Sequence, residues 1–107
     1  MTVAKVETSV ENGTANIALS GEIDLANAAT VEDDIRAAVA HQPSAVSVDL
    51  THLDYMDSAG VRILFRLAFR LQSLRVVLEL IVPFDSPTRR LIELSGFESL
   101  AALRPAR

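Results

Sequence analysis

The feature that most restricts the fold of this sequence is a regular alternation of two apolar patterns. After an initial pair of strand-like runs, stretches with strand-like apolar spacing alternate with stretches whose apolar residues recur every three or four positions. Strands that alternate with helices in this way form a sheet covered by helices. The order β-β-α-β-α-β-α-β therefore predicts an α/β (α+β) fold: a mixed β-sheet with an N-terminal hairpin and helices packed mainly on one face.

The initial pair of strands is joined by the dipeptide Asn12-Gly13. This dipeptide is a strong signal for a tight hairpin, because both residues tolerate the positive φ angles of a type I′ turn. Val3–Val10 precedes it, and Ala15, Ile17 and Leu19 alternate with polar or small residues after it. The sequence therefore predicts two antiparallel strands at the N-terminus.

The remaining elements are marked by recognisable ends. Thr30, with Asp33 three residues later, is typical of a helix start, and Pro43 follows the end of that helix. Gly96 is placed to end the last helix, with Phe97 folding back onto it. The predicted elements are a helix from Thr30 to about His41, a strand over Ala45–Leu50, a loop over Thr51–Asp57, a helix from Ser58 or Ala59 to about Ser73, a strand over Val76–Val82, a helix from Asp85 to Gly96, and a short strand over Ser99–Leu103.

Length and composition indicate one domain, spanning residues 1–107. A chain of 107 residues of which 50% are hydrophobic can bury a core of its own. It has no cysteine, which excludes disulfides, thiolate metal sites and cysteine nucleophiles. No glycine-rich phosphate loop, nucleophile–histidine pair or metal-ligand spacing is present, and His41 and His52 stand apart. We therefore expect neither an enzyme nor a bound cofactor or metal.

The charge of the chain argues against binding to nucleic acid. The net charge is −4, whereas such proteins carry basic surfaces. The two halves differ, since residues 1–57 carry ten acidic and two basic residues and residues 58–107 carry four acidic and eight basic residues. This division is a hint of a polarised molecule.

The N-terminal residues do not have the pattern of a signal peptide, and the most apolar run, Val76–Val82, is too short to cross a bilayer. We therefore expect a cytoplasmic protein without a membrane partner.

The most distinctive local feature is the turn Asp57–Gly60, which opens the second long helix. Aspartate and serine are common helix caps, so this turn is explained by capping alone. Alternatively, a serine at this position presents an exposed hydroxyl for modification. Gly60 allows either close approach of a partner or tight packing of the helix on the sheet. Arg62, Arg66 and Arg70 form a basic stripe along the helix, and such stripes are usually solvated.

Four segments together resemble the STAS domain, the family of sulfate transporter domains and anti-sigma factor antagonists. The strand Ala45–Leu50 and the turn Asp57–Gly60 resemble its signature. Gly21–Asp24 is similar to the motif after its second strand, and Leu91–Phe97 is similar to the end of its late helix. The resemblance covers roughly residues 3 to 103, in the family's order and spacing.

The resemblance implies a protein-binding switch. Members bind an anti-sigma factor, often a kinase, while unphosphorylated, and so release a sigma factor. By position, the residue phosphorylated by that kinase and restored by a phosphatase is Ser58. The residues expected to bind the partner are Asp24, Asp54, Asp57, Ala59, Gly60 and Arg62.

Several alternatives remain open at this point. Asp24 and Asp57 are equally well explained as turn or cap residues. The chain is also compatible with a STAS scaffold subunit of a lipid-transport ATPase complex, in which Ser58 would be only a structural cap. Two departures from the family are Ala59, which replaces a second hydroxyl residue, and the absence of a glycine within Gln72–Arg75 before the fourth strand. We expect a monomer or a weak homodimer.

Overall fold

A computed structural model describes residues 3–105 and shows a five-stranded mixed sheet with three α-helices. The strands follow chain order across the sheet, with β1 and β2 antiparallel and the remaining neighbours parallel. This confirms the predicted fold class. The elements are β1 (Ala4–Glu11), β2 (Thr14–Ile23), α1 (Ala28–Val39), β3 (Ala45–Met56), α2 (Ser58–Ser73), β4 (Val77–Ile81), α3 (Pro87–Leu94), a 3₁₀ turn (Phe97–Ser99) and β5 (Ala102–Arg104).

The N-terminal hairpin forms at the predicted turn. Asn12 and Gly13 have φ angles of 51° and 81°, as a type I′ turn requires. The two strands pair without a break from Ala4 opposite Gly21 to Glu11 opposite Thr14.

The core lies between the sheet and the helices. Ile17, Val48 and Leu80 occupy matching positions on three adjacent strands and are buried. Residues of all three helices, including Ile35, Leu64 and Ile92, belong to the same cluster of buried side chains. The opposite face of the sheet carries polar groups such as the Glu79–Arg104 ion pair. The helices therefore cover one face, as predicted.

Strand β3 is longer than the sequence pattern indicates. We predicted its end at Leu50 and a loop over Thr51–Asp57, but the strand continues to Met56. Its pairing with β2 shifts register twice and still reaches Ile23 opposite Met56. Irregular pairing of this kind breaks the two-residue alternation on which strand prediction depends. Leu53 and Met56 are nevertheless buried.

Helix α1 also begins earlier than predicted. Asn27, rather than Thr30, is the cap residue, and the helix starts at Ala28. The backbone of Asp24 already accepts hydrogen bonds from the N–H groups of Asn27 (3.3 Å) and Ala28 (2.9 Å), so the chain turns into the helix before Thr30.

The C-terminal part has one correction and one confirmation. The last strand begins at Ala102 instead of Ser99, because Phe97–Ser99 forms a 3₁₀ turn. Gly96 ends the preceding helix region with a φ of 76°, as predicted. Phe97 is buried, and its ring centroid lies 4.8 Å from that of Phe65 in α2. No helix within residues 3–105 is long and apolar enough to cross a membrane.

Candidate functional site

Two of the predicted site residues leave neighbouring strands at the same edge of the sheet. Ile23 pairs with Met56 at the ends of the parallel strands β2 and β3. The backbone N–H of Asp57 also donates to the Ile23 carbonyl at 3.2 Å. Asp24 and Asp57, the next residue of each strand, therefore emerge side by side at the carboxyl ends of the strands, where sites in such sheets are commonly built.

Asp57 caps helix α2, and Ser58 does not. Asp57 has extended backbone angles, and its Oδ1 accepts the Ala59 N–H at 2.9 Å, as an N-cap does. Ser58 is the first helical residue and is exposed. None of the hydrogen bonds found among residues 3–105 involves its hydroxyl group. The capping explanation of the turn is thus satisfied by Asp57, which leaves the Ser58 hydroxyl accessible.

Gly60 holds the start of α2 against the sheet. It is buried, and a Cβ atom at this position would overlap the Met56 side chain and lie 3.3 Å from Cγ2 of Ile23. Of its two possible roles, the geometry favours close packing of helix on strand. Gly60 therefore supports the turn that carries Ser58.

Asp24 organises the turn from β2 into α1. Its Oδ1 accepts the Ala26 N–H at 2.8 Å, and its own N–H donates to Oδ1 of Asn27 at 3.1 Å. The Asn27 amide in turn donates to the Glu22 carbonyl at 2.9 Å. This is the turn-capping role that its residue type suggests, and it holds the Asp24 carboxylate on the backbone of its own turn.

A shallow depression next to Ser58 contains a residue that the sequence did not single out. Ala59 and Arg62 from α2 line it together with Leu25 and Ala28. Leu25 is 81% exposed, which is unusual for a leucine in a tight turn directly after Asp24. Its apolar character within the Asp24–Asn27 turn is the signal that could have identified it. Asp54, another predicted contact, is exposed near the end of β3.

The arginines of α2 differ in their partners. Arg66 binds Glu32 of α1 through two hydrogen bonds, from Nε to Oε2 at 2.6 Å and from Nη2 to Oε1 at 3.0 Å. Arg36 lies 3.9 Å from the same carboxylate. These hydrogen bonds, together with the charges of both arginines, lower the pKa of Glu32 despite its partial burial. Arg62 is exposed and forms no ion pair with any residue from 3 to 105.

Within the described part of the chain, no group of three or more histidine, cysteine, aspartate or glutamate side chains is arranged to hold a metal ion. His41 and His52 are both exposed.

Comparisons with known proteins bear on this arrangement. The STAS domain family matches residues 5–106. The chain is 36% identical over 88 residues to the anti-sigma-F factor antagonist RsfB of Mycobacterium tuberculosis, covering 81% of this chain and 70% of that protein. It superimposes on an anti-sigma factor antagonist from Mycobacterium paratuberculosis with a TM-score of 0.88 and 28% identity, covering 97% of this chain and 87% of that one. The phosphorylated form of the Bacillus cell fate determinant SpoIIAA has the same fold, with a TM-score of 0.67, 23% identity, and coverage of 94% and 90%.

Proposed function

The chain belongs to the STAS domain family, and we propose that it is an anti-sigma factor antagonist switched by phosphorylation of Ser58. In this proposal it binds an anti-sigma factor while Ser58 is unmodified and thereby releases a sigma factor in the cytoplasm. The observation that carries the proposal is the exposed Ser58 hydroxyl at the first position of α2, where Asp57 already provides the cap.

The named relatives support this function over the scaffold alternative. The relative from M. tuberculosis and the structural neighbour from M. paratuberculosis are both named anti-sigma factor antagonists. SpoIIAA, which shares the fold, has been solved in a phosphorylated form. None of these names refers to a subunit of a transport ATPase.

Charge alone is sufficient for the switch. A phosphate on Ser58 adds about −1.5 to −2 charges at neutral pH, next to Asp57 and beside Asp24 at the same edge of the sheet. Two unit charges about 6 Å apart repel by roughly 0.7 kcal/mol in water, and several-fold more where an interface excludes solvent. An enlarged acidic patch would therefore repel a partner that accepts the unmodified surface, without any refolding.

The expected partner surface surrounds Ser58. Asp24, Asp54, Asp57, Ala59 and Arg62 contribute to it around the buried Gly60, and Leu25 adds an exposed apolar side chain. The phosphoryl transfer belongs to the partner kinase, and its reversal to a phosphatase, so this chain acts as their substrate.

The proposal is tested by incubating the purified chain with each kinase-type anti-sigma factor of its source organism and Mg-ATP. We expect a stable complex with one of them and, with ATP, an intact-mass increase of one phosphoryl group. Ser58→Ala should abolish the increase, whereas Ser73→Ala, at the exposed far end of α2, should retain it. Failure of every such kinase to bind and to modify the wild-type chain would contradict the proposal.

A further inference from the structure

Arg62 lies one helical turn after Ser58 on the same face of α2. Side chains four positions apart in a helix are neighbours, with Cβ atoms about 5–6 Å apart. Helical side chains also lean toward the N-terminus, which for Arg62 is the direction of the turn that carries Ser58. Both residues are exposed. A phosphate on Ser58 would therefore lie within reach of the Arg62 guanidinium.

Arg62 is free to bind such a group, whereas the next arginine of the stripe is not. Arg66 is held by Glu32 through two hydrogen bonds of 2.6 and 3.0 Å. No carboxylate among residues 3–105 forms an ion pair with Arg62. A guanidinium has only donors and binds phosphate or carboxylate through paired hydrogen bonds.

We propose that Arg62 binds a carboxylate of the anti-sigma factor when Ser58 is unmodified, and binds the phosphate when Ser58 is phosphorylated. The inference rests on the proposed function of Ser58 as the phosphorylated residue. An acidic group four residues before a basic one is the favourable orientation for a pair within a helix. A guanidinium has two hydrogen-bonding edges but only one charge, which a bound phosphate largely neutralises, so phosphorylation weakens its attraction for a partner carboxylate.

Phosphorylation then weakens the interaction in two ways. It adds negative charge beside Asp24 and Asp57, and it withdraws a cation from the depression that Leu25 and Ala59 line. The second effect requires no movement of the backbone, because only the Arg62 side chain changes its partner.

The intramolecular pair is tested with phosphoserine placed at position 58 by codon suppression, so that no kinase is needed. The second pKa of the phosphate is measured by phosphorus NMR in the otherwise wild-type protein and in Arg62→Gln. A neighbouring cation favours the dianion, so its removal should raise the phosphate pKa by about 0.2–0.4 unit. The other charged groups around the turn are the same in both proteins: Asp24, Asp54 and Asp57, Glu32 and Arg66.

Two further variants separate a specific pair from general electrostatics. Arg62→Lys keeps the positive charge, so its phosphate pKa should lie between the values of the wild-type background and of Arg62→Gln. Arg70→Gln removes an exposed arginine of the same stripe about 18 Å along the helix axis from Ser58 and should leave the pKa unchanged. Equal phosphate pKa values in Arg62→Gln and the wild-type background would overturn the inference.

The partner contact is tested with the anti-sigma factor identified as above. Unmodified Arg62→Gln should bind it at least threefold more weakly than wild type, and phosphoserine 58 should then cause a smaller further loss than it does in wild type. If no kinase modifies Ser58, the proposed function fails while the titration still measures the pair. If a kinase modifies Ser58 but Arg62→Gln changes neither the phosphate pKa nor the loss of affinity on phosphorylation, the role of Arg62 is excluded and the proposed function of Ser58 stands.

Discussion

At the residue scale, the turn at the start of α2 divides its tasks among adjacent side chains. Asp57 caps the helix, with its Oδ1 2.9 Å from the Ala59 nitrogen, and Gly60 is buried against β2 and β3. Ser58 lies between them and is exposed. The neighbours thus supply the cap and the close packing of the turn, and the exposed Ser58 is not the capping residue.

The packing role of Gly60 predicts that Gly60→Ala destabilises the fold. Alanine has the higher helix propensity, by about 1 kcal/mol at most, but its Cβ would overlap the buried Met56 side chain. Overpacking of a core typically costs about 1–3 kcal/mol, so we expect a net loss of about 1 kcal/mol or more in urea denaturation.

Truncating Met56 supplies the control for this effect. Met56→Ala removes the side chain that the new Cβ would overlap. In that background, Gly60→Ala should lower the unfolding free energy by less than half as much as it does in wild type. An equal cost in both backgrounds would show that contact with Met56 is not the cause.

At the element scale, helix α2 ends in an unusual residue. Arg75 has a φ of 59°, at the position just past the helix where glycine is favoured. Its N–H donates to the Gln72 carbonyl at 3.1 Å, and the Val76 N–H donates to the Leu71 carbonyl at 2.9 Å, which together form a Schellman motif. Arg75 therefore occupies a position at which glycine is favoured, in the segment where this sequence lacks the glycine usual in the family.

This geometry predicts that Arg75→Gly stabilises the protein. A left-handed conformation costs an L-residue roughly 1–2 kcal/mol, whereas glycine adopts it freely but loses more chain entropy on folding. We expect a net gain of about 0.5–1 kcal/mol in thermal or urea denaturation. Gln72→Gly, an exposed position inside the same helix, should instead destabilise it by about 1 kcal/mol. A loss of stability in both variants would contradict this explanation.

Helices α1 and α2 are joined by the ion pair between Glu32 and Arg66, which predicts a pH dependence. Hydrogen bonding to Arg66 lowers the pKa of Glu32 below its ordinary value of 4.5 in the folded protein. The stabilisation is therefore fully present above that value and is lost as the pH falls through the lowered folded pKa. Glu32→Gln should be less stable than wild type at pH 7, and the difference in unfolding free energy should shrink below pH 4.5.

Asp34→Asn is the matched control, since Asp34 is exposed on the same helix and has no ion pair with another described residue. If the difference in unfolding free energy between Glu32→Gln and wild type stays constant from pH 7 to pH 3, the ion pair is not the source of that difference.

The elements that the sequence predicted well are those whose signals are local. Asn12-Gly13 and Gly96 were predicted to adopt a positive φ and do so. Apolar periods predicted α1 and α2, and the cap and proline at Ser86-Pro87 predicted α3. The extension of β3 to Met56 was missed because it depends on irregular pairing with β2. Similarly, Leu25 became a candidate only when folding placed its turn beside Ala59 and Arg62.

At the scale of the whole molecule, the fold mixes the two oppositely charged halves of the chain. Glu32 of the acidic half binds Arg66 of the basic half, and strand β3 of the acidic half pairs with strand β4 of the basic half. The acidic residues Asp24 and Asp57 nevertheless emerge together where β2 and β3 end. Ser58 therefore lies at the junction of an acidic edge and a basic helix face, where a phosphate would add its charge to both surfaces.

The central claim is that this local change of charge controls partner binding without refolding. Its most direct test is the affinity of the chain for its anti-sigma factor, measured by calorimetry with and without phosphoserine at position 58, with amide NMR spectra of both forms. We predict binding weaker by about tenfold to a thousandfold and spectral changes confined to residues around the start of α2. Equal affinity of the two forms would contradict the claim, as would spectral changes throughout the sheet.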